Sequence, residues 1–250
     1  KAKIKFDKYK IKSKKINLDN SNLYQSYFLN IKHQIPFIDA KIAFSNENIT
    51  INKKNKWITN KFSRGRVHYM RSIHDCIITS ASTIANDNPR LNCRIDGLED
   101  RSPDIIIIDK NLKISNKSNI FKNIKKNSIN FIYNKNIIKK VKFLKKKKIR
   151  LIRMPLNQKG NFNLKNILKE VKQLGYSRVF LESGINLMSN FINNGLVNDL
   201  NVFVSNQKLG KKGKNSIKNN IYLYLKKIKP FKIKANLMGD NLFIYRLKNV

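Results

Sequence analysis

A chain of 250 residues and 29.3 kDa is long enough to bury one substantial core. It has no run of about 18 apolar residues and no apolar core at its amino terminus, so neither a membrane-spanning helix nor a secretory signal is expected and a cytoplasmic protein is the expectation. Its 53 Lys+Arg against 15 Asp+Glu give a formal net charge of +38, but Lys, Asn and Ile swell together along the whole chain while Gly (9) and Pro (5) are scarce, so the excess reads as compositional drift and no dedicated nucleic-acid site is expected.

The segment from Lys1 to about Lys32 is Lys- and Asn-rich, starts without methionine, and holds one weakly alternating, strand-like stretch, Tyr9 to Ile16. From Pro36 the texture changes. Phe37 to Phe44 reads as a buried strand, and Ser45 to Lys56 as a polar loop ending at the single tryptophan, Trp57. Thr59 and Asn60 are N-cap candidates for a helix from about Phe62 to Ile73 with Val67, Met70 and Ile73 facing inward. Cys76 to Thr79 is a short strand, followed by a Ser/Thr-rich turn and a loop at Asn86-Asp87-Asn88-Pro89. Ile105 to Asp109, Ile129 to Tyr133 and Ile149 to Met154 are further strands, the last two separated by a Lys-rich helical stretch. A helix from about Leu164 to Leu174 stops at Gly175, and the strand Arg178 to Leu181 turns through Glu182-Ser183-Gly184 into a helix carrying Leu187, Met188 and Phe191. Leu200 to Val204 and Tyr222 to Leu247 read as strands and hairpins. Strands alternating with helices, closed by a hairpin-like end, predict an α/β fold around a mixed sheet.

Several chemistries lack their residues. Cys76 and Cys93 are too far apart for a CxxC pair, so no metal site is expected. The three histidines, His33, His68 and His74, sit in no nucleophile motif, and zinc deamination would need H-x-E and P-C-x-x-C, both absent. No G-x-G-x-x-G follows a strand. The turn at Gly184 is the best local candidate for an anion, because a helix that opens on glycine presents free amides.

Taken together, Trp57-Ile58-Thr59, Val67-His68-Tyr69-Met70-Arg71 and the unbroken run Ile77 to Arg94 closely resemble the reductase domain of the bacterial riboflavin-biosynthesis deaminase/reductases. The same order continues in Pro36 to Ser45, Ile105 to Asp109, Leu181-Glu182-Ser183-Gly184 and Gly195 to Leu200, so the resemblance covers about Ile35 to the C-terminus. It implies a dihydrofolate-reductase-like, three-layer α/β fold with a mixed, mostly parallel central sheet. It also implies NADPH-dependent reduction of 5-amino-6-(5-phosphoribosylamino)uracil to its ribitylamino product, and a homodimer.

Carried over position by position, the resemblance assigns cofactor contacts to Ala43, Trp57, Thr83 and Asp87, and to Gly184, Ile185, Asn186, Leu187, Met188, Ser189 and Asn190. It assigns substrate contacts to Asn55, Arg71, Leu91, Arg94 and Glu182. Two arginines suit a grip on the ribose phosphate of a phosphorylated pyrimidine. Lys41, Asp87 and Glu182 are the candidates near the reacting ribose, and the resemblance does not choose the proton donor among them. Residues 1–34 would be the tail of an upstream zinc deaminase domain with its linker, and residues 35–250 the reductase. The stand-alone reductases of archaea and fungi look similar but act before deamination, on the diaminopyrimidinone. A dihydrofolate reductase would need an acid in the helix Phe62 to Ile73, which has none. Where the family usually reads Ser-Leu-Asp-Gly after the first strand, this chain reads Ser45-Asn46-Glu47-Asn48, and asparagine is the residue best able to replace glycine in a left-handed turn.

Overall fold

The computed structural model describes residues 2–14, 24–52, 57–123, 128–210, 213–216 and 221–247. In chain order the elements are α1 (Ala2–Lys8), α2 (Gln25–Lys32), β1 (Phe37–Ser45), β2 (Ile49–Asn52), α3 (Lys61–Ser72), β3 (Cys76–Ser80) and α4 (Ala81–Asp87). There follow β4 (Asp104–Ile108), β5 (Ile129–Tyr133), α5 (Ile138–Lys146), β6 (Arg150–Arg153), α6 (Leu164–Gln173), β7 (Arg178–Leu181) and α7 (Ile185–Asn193). The chain ends with β8 (Asp199–Ser205), β9 (Gly213–Ser216), α8 (Ile221–Leu225), β10 (Phe231–Lys232) and β11 (Asn241–Arg246).

Nine strands form one sheet in the order β10-β11-β8-β1-β7-β3-β4-β5-β6, and β2 pairs with β9 in a separate two-stranded ribbon. From β8 to β6 all neighbours run parallel, whereas β11 and β10 are antiparallel. Parallel strands buried on both faces require continuous apolar runs, and β4 and β5 supply them. One face packs Ile38, Ile78, Val179 and Leu181 against Ile167, Leu168 and Val171 of α6 and Met188, Phe191 and Ile192 of α7. The opposite face packs Ile77, Ile105, Phe131 and Phe180 against Val67 and Met70 of α3, Ile84 of α4 and Leu144 of α5. The helices of the outward connections thus lie on one side and those of the return on the other, as right-handed crossovers dictate.

Several expectations need correction. The polar stretch after β1 is not all loop, because Ile49–Asn52 pairs with Gly213–Ser216, a partner about 160 residues away that no local pattern announces. The Ser/Thr-rich turn is helix α4 through Asp87, since Ser80 accepts the amide of Thr83 at 3.2 Å and so caps a helix. Asn88, at φ 42°, and Pro89 then end it. Asn60, rather than Thr59, caps α3, and Ile73 lies at its exposed C-terminus. Lys1 to Lys32 contains helices α1 and α2, and the described part of the strand-like stretch, Tyr9 to Lys14, holds no strand. The stretch from Tyr222 begins in α8, whose Ile221 and Leu225 reach the core one turn apart. Helix α2 is docked on the sheet domain: Leu29 is buried, Asn30 hydrogen-bonds Ser177, and Lys172 donates to the Asn30 carbonyl at 2.9 Å.

Candidate active site

Because β7 enters the sheet between β1 and β3, residues from three distant parts of the chain are brought into one lateral row. Ala40 is in register with Leu181, and Leu181 with Ile78. The next residues, Lys41, Glu182 and Thr79, therefore stand side by side at the carboxyl ends of β1, β7 and β3, on the face covered by α3. Lys41 is also in register with Asn201 of β8, which is buried and donates to the Ala40 carbonyl at 3.2 Å. Connections leave this point in opposite directions, through α3 toward β3 and through α7 toward β8, so the row lies at a switch point of the sheet, where α/β folds place their ligands.

Arg71, on the last turn of α3, reaches over this row and grips Glu182 with two bonds, Nε to Oε2 at 3.0 Å and Nη2 to Oε1 at 2.8 Å. Its Nη1 donates to the Asn92 carbonyl at 3.0 Å. Burial alone would push the Glu182 carboxyl up, but the charge and hydrogen bonds of Arg71, then Lys41 and His68, outweigh it and hold the group below the usual carboxylate value. Burial draws the Lys41 ammonium down; Glu182 and Asp87 oppose the effect and Arg71 reinforces it. The site thus holds an ionised acid beside an acidified lysine.

The loop after α4 closes one side. Leu91 adopts φ 55°, a left-handed conformation unfavourable for a branched side chain, while its side chain is buried among the residues under α3. This bend aims the Asn92 carbonyl at Arg71 and His68. Arg94 is exposed, with Nη1 bonded to Asn92 Oδ1 at 3.1 Å. Asp87 ends α4 close enough to act on Lys41.

On the next strand end, Gly184 opens α7 and donates its amide to Thr83 Oγ1 at 3.0 Å, which bonds Ser80 Oγ at 2.9 Å. Gly184 has ordinary extended backbone, and a Cβ there would lie 3.8 Å from Thr83 Oγ1, a normal contact. The protein itself does not demand glycine at this point. A bare helix entrance does suit close approach of a phosphate. The amides of Ile185, Asn186 and Leu187 have no partner within the helix, whereas Met188 donates to the Gly184 carbonyl and its side chain is core. Ser189 is buried, and Asn190 accepts from Asn194, so within the segment only the first turn offers amides that an anion could meet.

Ala43 lies on β1 two residues beyond Lys41, on the same face. Trp57 stands exposed before α3 with the Arg64 guanidinium 4.8 Å from its ring. Asn55 lies outside the described residues. The altered turn after β1 is intact: Asn48 takes φ 65°, and Glu47 accepts the amides of Leu209 and Gly210 at 2.6 and 2.9 Å, tying this turn to the loop that follows β8. Sequence reasoning missed His68, Thr79 and Asn201. His68 precedes Arg71 by one helical turn, a signal that was present; the other two depend on register between strands.

Residues 39–234 match the model of the RibD C-terminal domain. The chain belongs to that family. It is 26% identical over 231 residues to the riboflavin biosynthesis protein RibD of Aquifex aeolicus, covering 89% of this chain and 61% of that protein. It is 29% identical over 174 residues to the 5-amino-6-(5-phosphoribosylamino)uracil reductase of Buchnera aphidicola from Acyrthosiphon pisum, covering 65% of this chain and 81% of that protein. Among solved structures, the deaminase/reductase of Thermotoga maritima superposes with a TM-score of 0.74 at 19% identity, over 98% of this chain and 67% of that one. These likenesses establish the expected dihydrofolate-reductase-like fold, and the chain spans about three fifths of the first curated relative.

Proposed function

We propose that this chain is a reductase of riboflavin biosynthesis that uses NADPH to reduce the ribosyl group of 5-amino-6-(5-phosphoribosylamino)uracil to the ribityl group. The observation that carries the reading is the Lys41–Glu182–Arg71 arrangement beside the bare entrance of α7, in a chain of the RibD C-terminal domain family. The first-turn amides of α7, with Thr83 and Ser80, would hold the pyrophosphate of the dinucleotide, and the small side chain of Ala43 would leave room over β1 for a flat ring. When bound, the nicotinamide supplies a hydride to C1 of the opened ribose, where the carbon is double-bonded to nitrogen.

The chain's own residues must then place C1, exclude water and deliver one proton to the nitrogen. Arg71 holds Glu182 ionised, which makes that carboxylate an acceptor for a sugar hydroxyl and removes it as the donor. Lys41, acidified by burial and next to Glu182, is the group able to release the proton. Arg94 is the arginine with a fork free for the ribose phosphate, since three of Arg71's N–H bonds are committed inside the protein.

The test is NADPH consumption by the chain in moderate salt, offered the deaminated aminouracil ribotide and, separately, its diaminopyrimidinone precursor. Turnover of the first alone is expected. Turnover of the precursor alone would move the enzyme ahead of the deamination step, and turnover of neither would overturn the reading.

A further inference from the structure

The proposed reading leaves His68 without a task, although it stands among the cations of the site. Its Nδ1 lies 3.1 Å from the Asn92 carbonyl, and that oxygen also receives Arg71. Arg71 Nη1, which can only donate, lies farther from Nδ1, at 3.5 Å; with the hydrogen on Nδ1 directed at the nearer carbonyl, which can only accept, a further proton enters at Nε2, which makes no hydrogen bond among the described residues. The charges that act on the ring are Arg71 on its own helix, Arg94 on the loop and Glu182 after β7; Arg90 acts on Arg94 and Lys41 on Glu182, while Glu99, Asp100 and Arg101 lie on the short turn that packs against α3. Burial first, then Arg71 and Arg94, draw the imidazole down to about 4, so it is uncharged at neutral pH.

A cluster in which cations repel one another lacks an anion. Resting on the reductase reading above, we infer that His68 is a further ligand of the substrate's phosphate, uncharged in the free protein and protonated at Nε2 by solvent when the phosphate binds. A phosphate monoester brings close to two negative charges. Placed against Arg94 it cancels the repulsion that strips the ring of its proton, and the imidazolium then adds a charge-assisted bond. The same substrate without its phosphate leaves the ring neutral. His68 thereby makes affinity depend on the phosphate more steeply than the arginines alone would. The plain alternative, a ring that merely props the Asn92 loop, predicts no change on binding.

Three histidines, His33, His68 and His74, make the ring protons separable by NMR, with His68→Gln identifying its signal. In the free protein that signal should titrate near 4. With saturating ribose 5-phosphate it should titrate above about 6, near an unperturbed imidazole, and ribose should leave it unmoved. His68→Gln should weaken ribose 5-phosphate about fourfold at pH 6, and the gap should close by pH 8.5 as the wild-type ring loses its proton. Binding that is lost in Arg94→Ala while the His68 signal stays near 4 overturns the inference and keeps the phosphate site. Absence of any ribose 5-phosphate binding overturns the phosphate site, and the inference with it.

Discussion

Two successive rungs on the same face of the sheet are both charged, and they behave differently. The first holds Asp39 and Asp199, in register on β1 and β8. His74 Nε2 meets Asp39 Oδ2 at 2.8 Å, His74 Nδ1 meets the Met70 carbonyl at 2.6 Å, Arg178 reaches Asp39 at 3.5 Å, and Arg246 reaches Asp199 at 3.4 Å. Each carboxylate there has a basic partner. The second rung, two residues further along β1, holds Lys41, Glu182 and Thr79 with Arg71 above. There the bases outnumber the acids, Thr79 Oγ1 is buried without a partner among the described residues, and the neighbouring loop bends through a left-handed leucine. Helix α3 and the turn behind it feed both rungs, Arg71 to one and His74 to the other. The difference separates a charge cluster that finishes the fold from one that is finished by a ligand.

The comparison breaks if the first rung also serves chemistry. Asp39→Ala leaves the buried His74 Nε2 without its partner and should lower stability by about 2–3 kcal/mol, the effect of orphaning a buried hydrogen-bonding group. Urea unfolding measures this, and turnover per folded molecule should stay within about threefold. Glu182→Gln should do the reverse. It keeps a polar group of the same shape facing Arg71 but loses the carboxylate, so turnover should fall by about a hundredfold to a thousandfold. A thermal midpoint that drops as far as that of Asp39→Ala, with turnover preserved, would mean the second rung is structural too.

How much of this could be read in the sequence follows from where each signal lives. The strand Arg178–Leu181 and the turn at Glu182-Ser183-Gly184 are local: an apolar run, a glycine and an amphipathic helix lie within about fifteen residues. Arg71, Asp87, Arg94 and Glu182 were named from the resemblance. Thr79 and Asn201 were not, because they matter only through register, and the strand that puts Thr79 beside Glu182 enters the sheet about a hundred residues later. Helix α4 was hidden for another reason, since serine and threonine serve caps and turns alike and only the fold chooses. The β2–β9 ribbon was hidden because Ile49–Asn52 is only four residues long inside a polar stretch and its partner, Gly213–Ser216, lies about 160 residues away.

The third prediction sharpens the contrast in acid. His68 titrates near 4 in the fold and near 6.5 in the unfolded chain. Above 6.5 it is neutral in both states, and below 4 it is charged in both, so the fold carries the burden of charging it and is destabilised as pH falls between those values. The gap is about 3 kcal/mol before solvent screening of a half-buried ring and about 1–2 kcal/mol after it. Unfolding at pH 7 and pH 4.5 should show this loss in the wild type and not in His68→Gln. Glu182 adds a loss at lower pH, because its carboxyl is held below the usual value and its stabilising charge disappears only as pH falls through that depressed range.

The smallest effect is the most telling. Thr79 is fully buried, and its hydroxyl has no hydrogen-bond partner among the described residues. A buried donor without an acceptor opposes folding by about 1 kcal/mol or more, and valine has the same shape without that group. Thr79→Val should therefore raise stability by about 1 kcal/mol, read as a higher urea midpoint at unchanged slope. The same substitution in a completed cluster, where every polar atom is already bonded, would lower stability. If turnover falls while stability rises, the hydroxyl is used once Lys41 and Glu182 engage substrate, and the second rung is unfinished by design of its function. If stability falls instead, the hydroxyl already has a partner in solution, and the contrast between the two rungs narrows to the excess of positive charge alone.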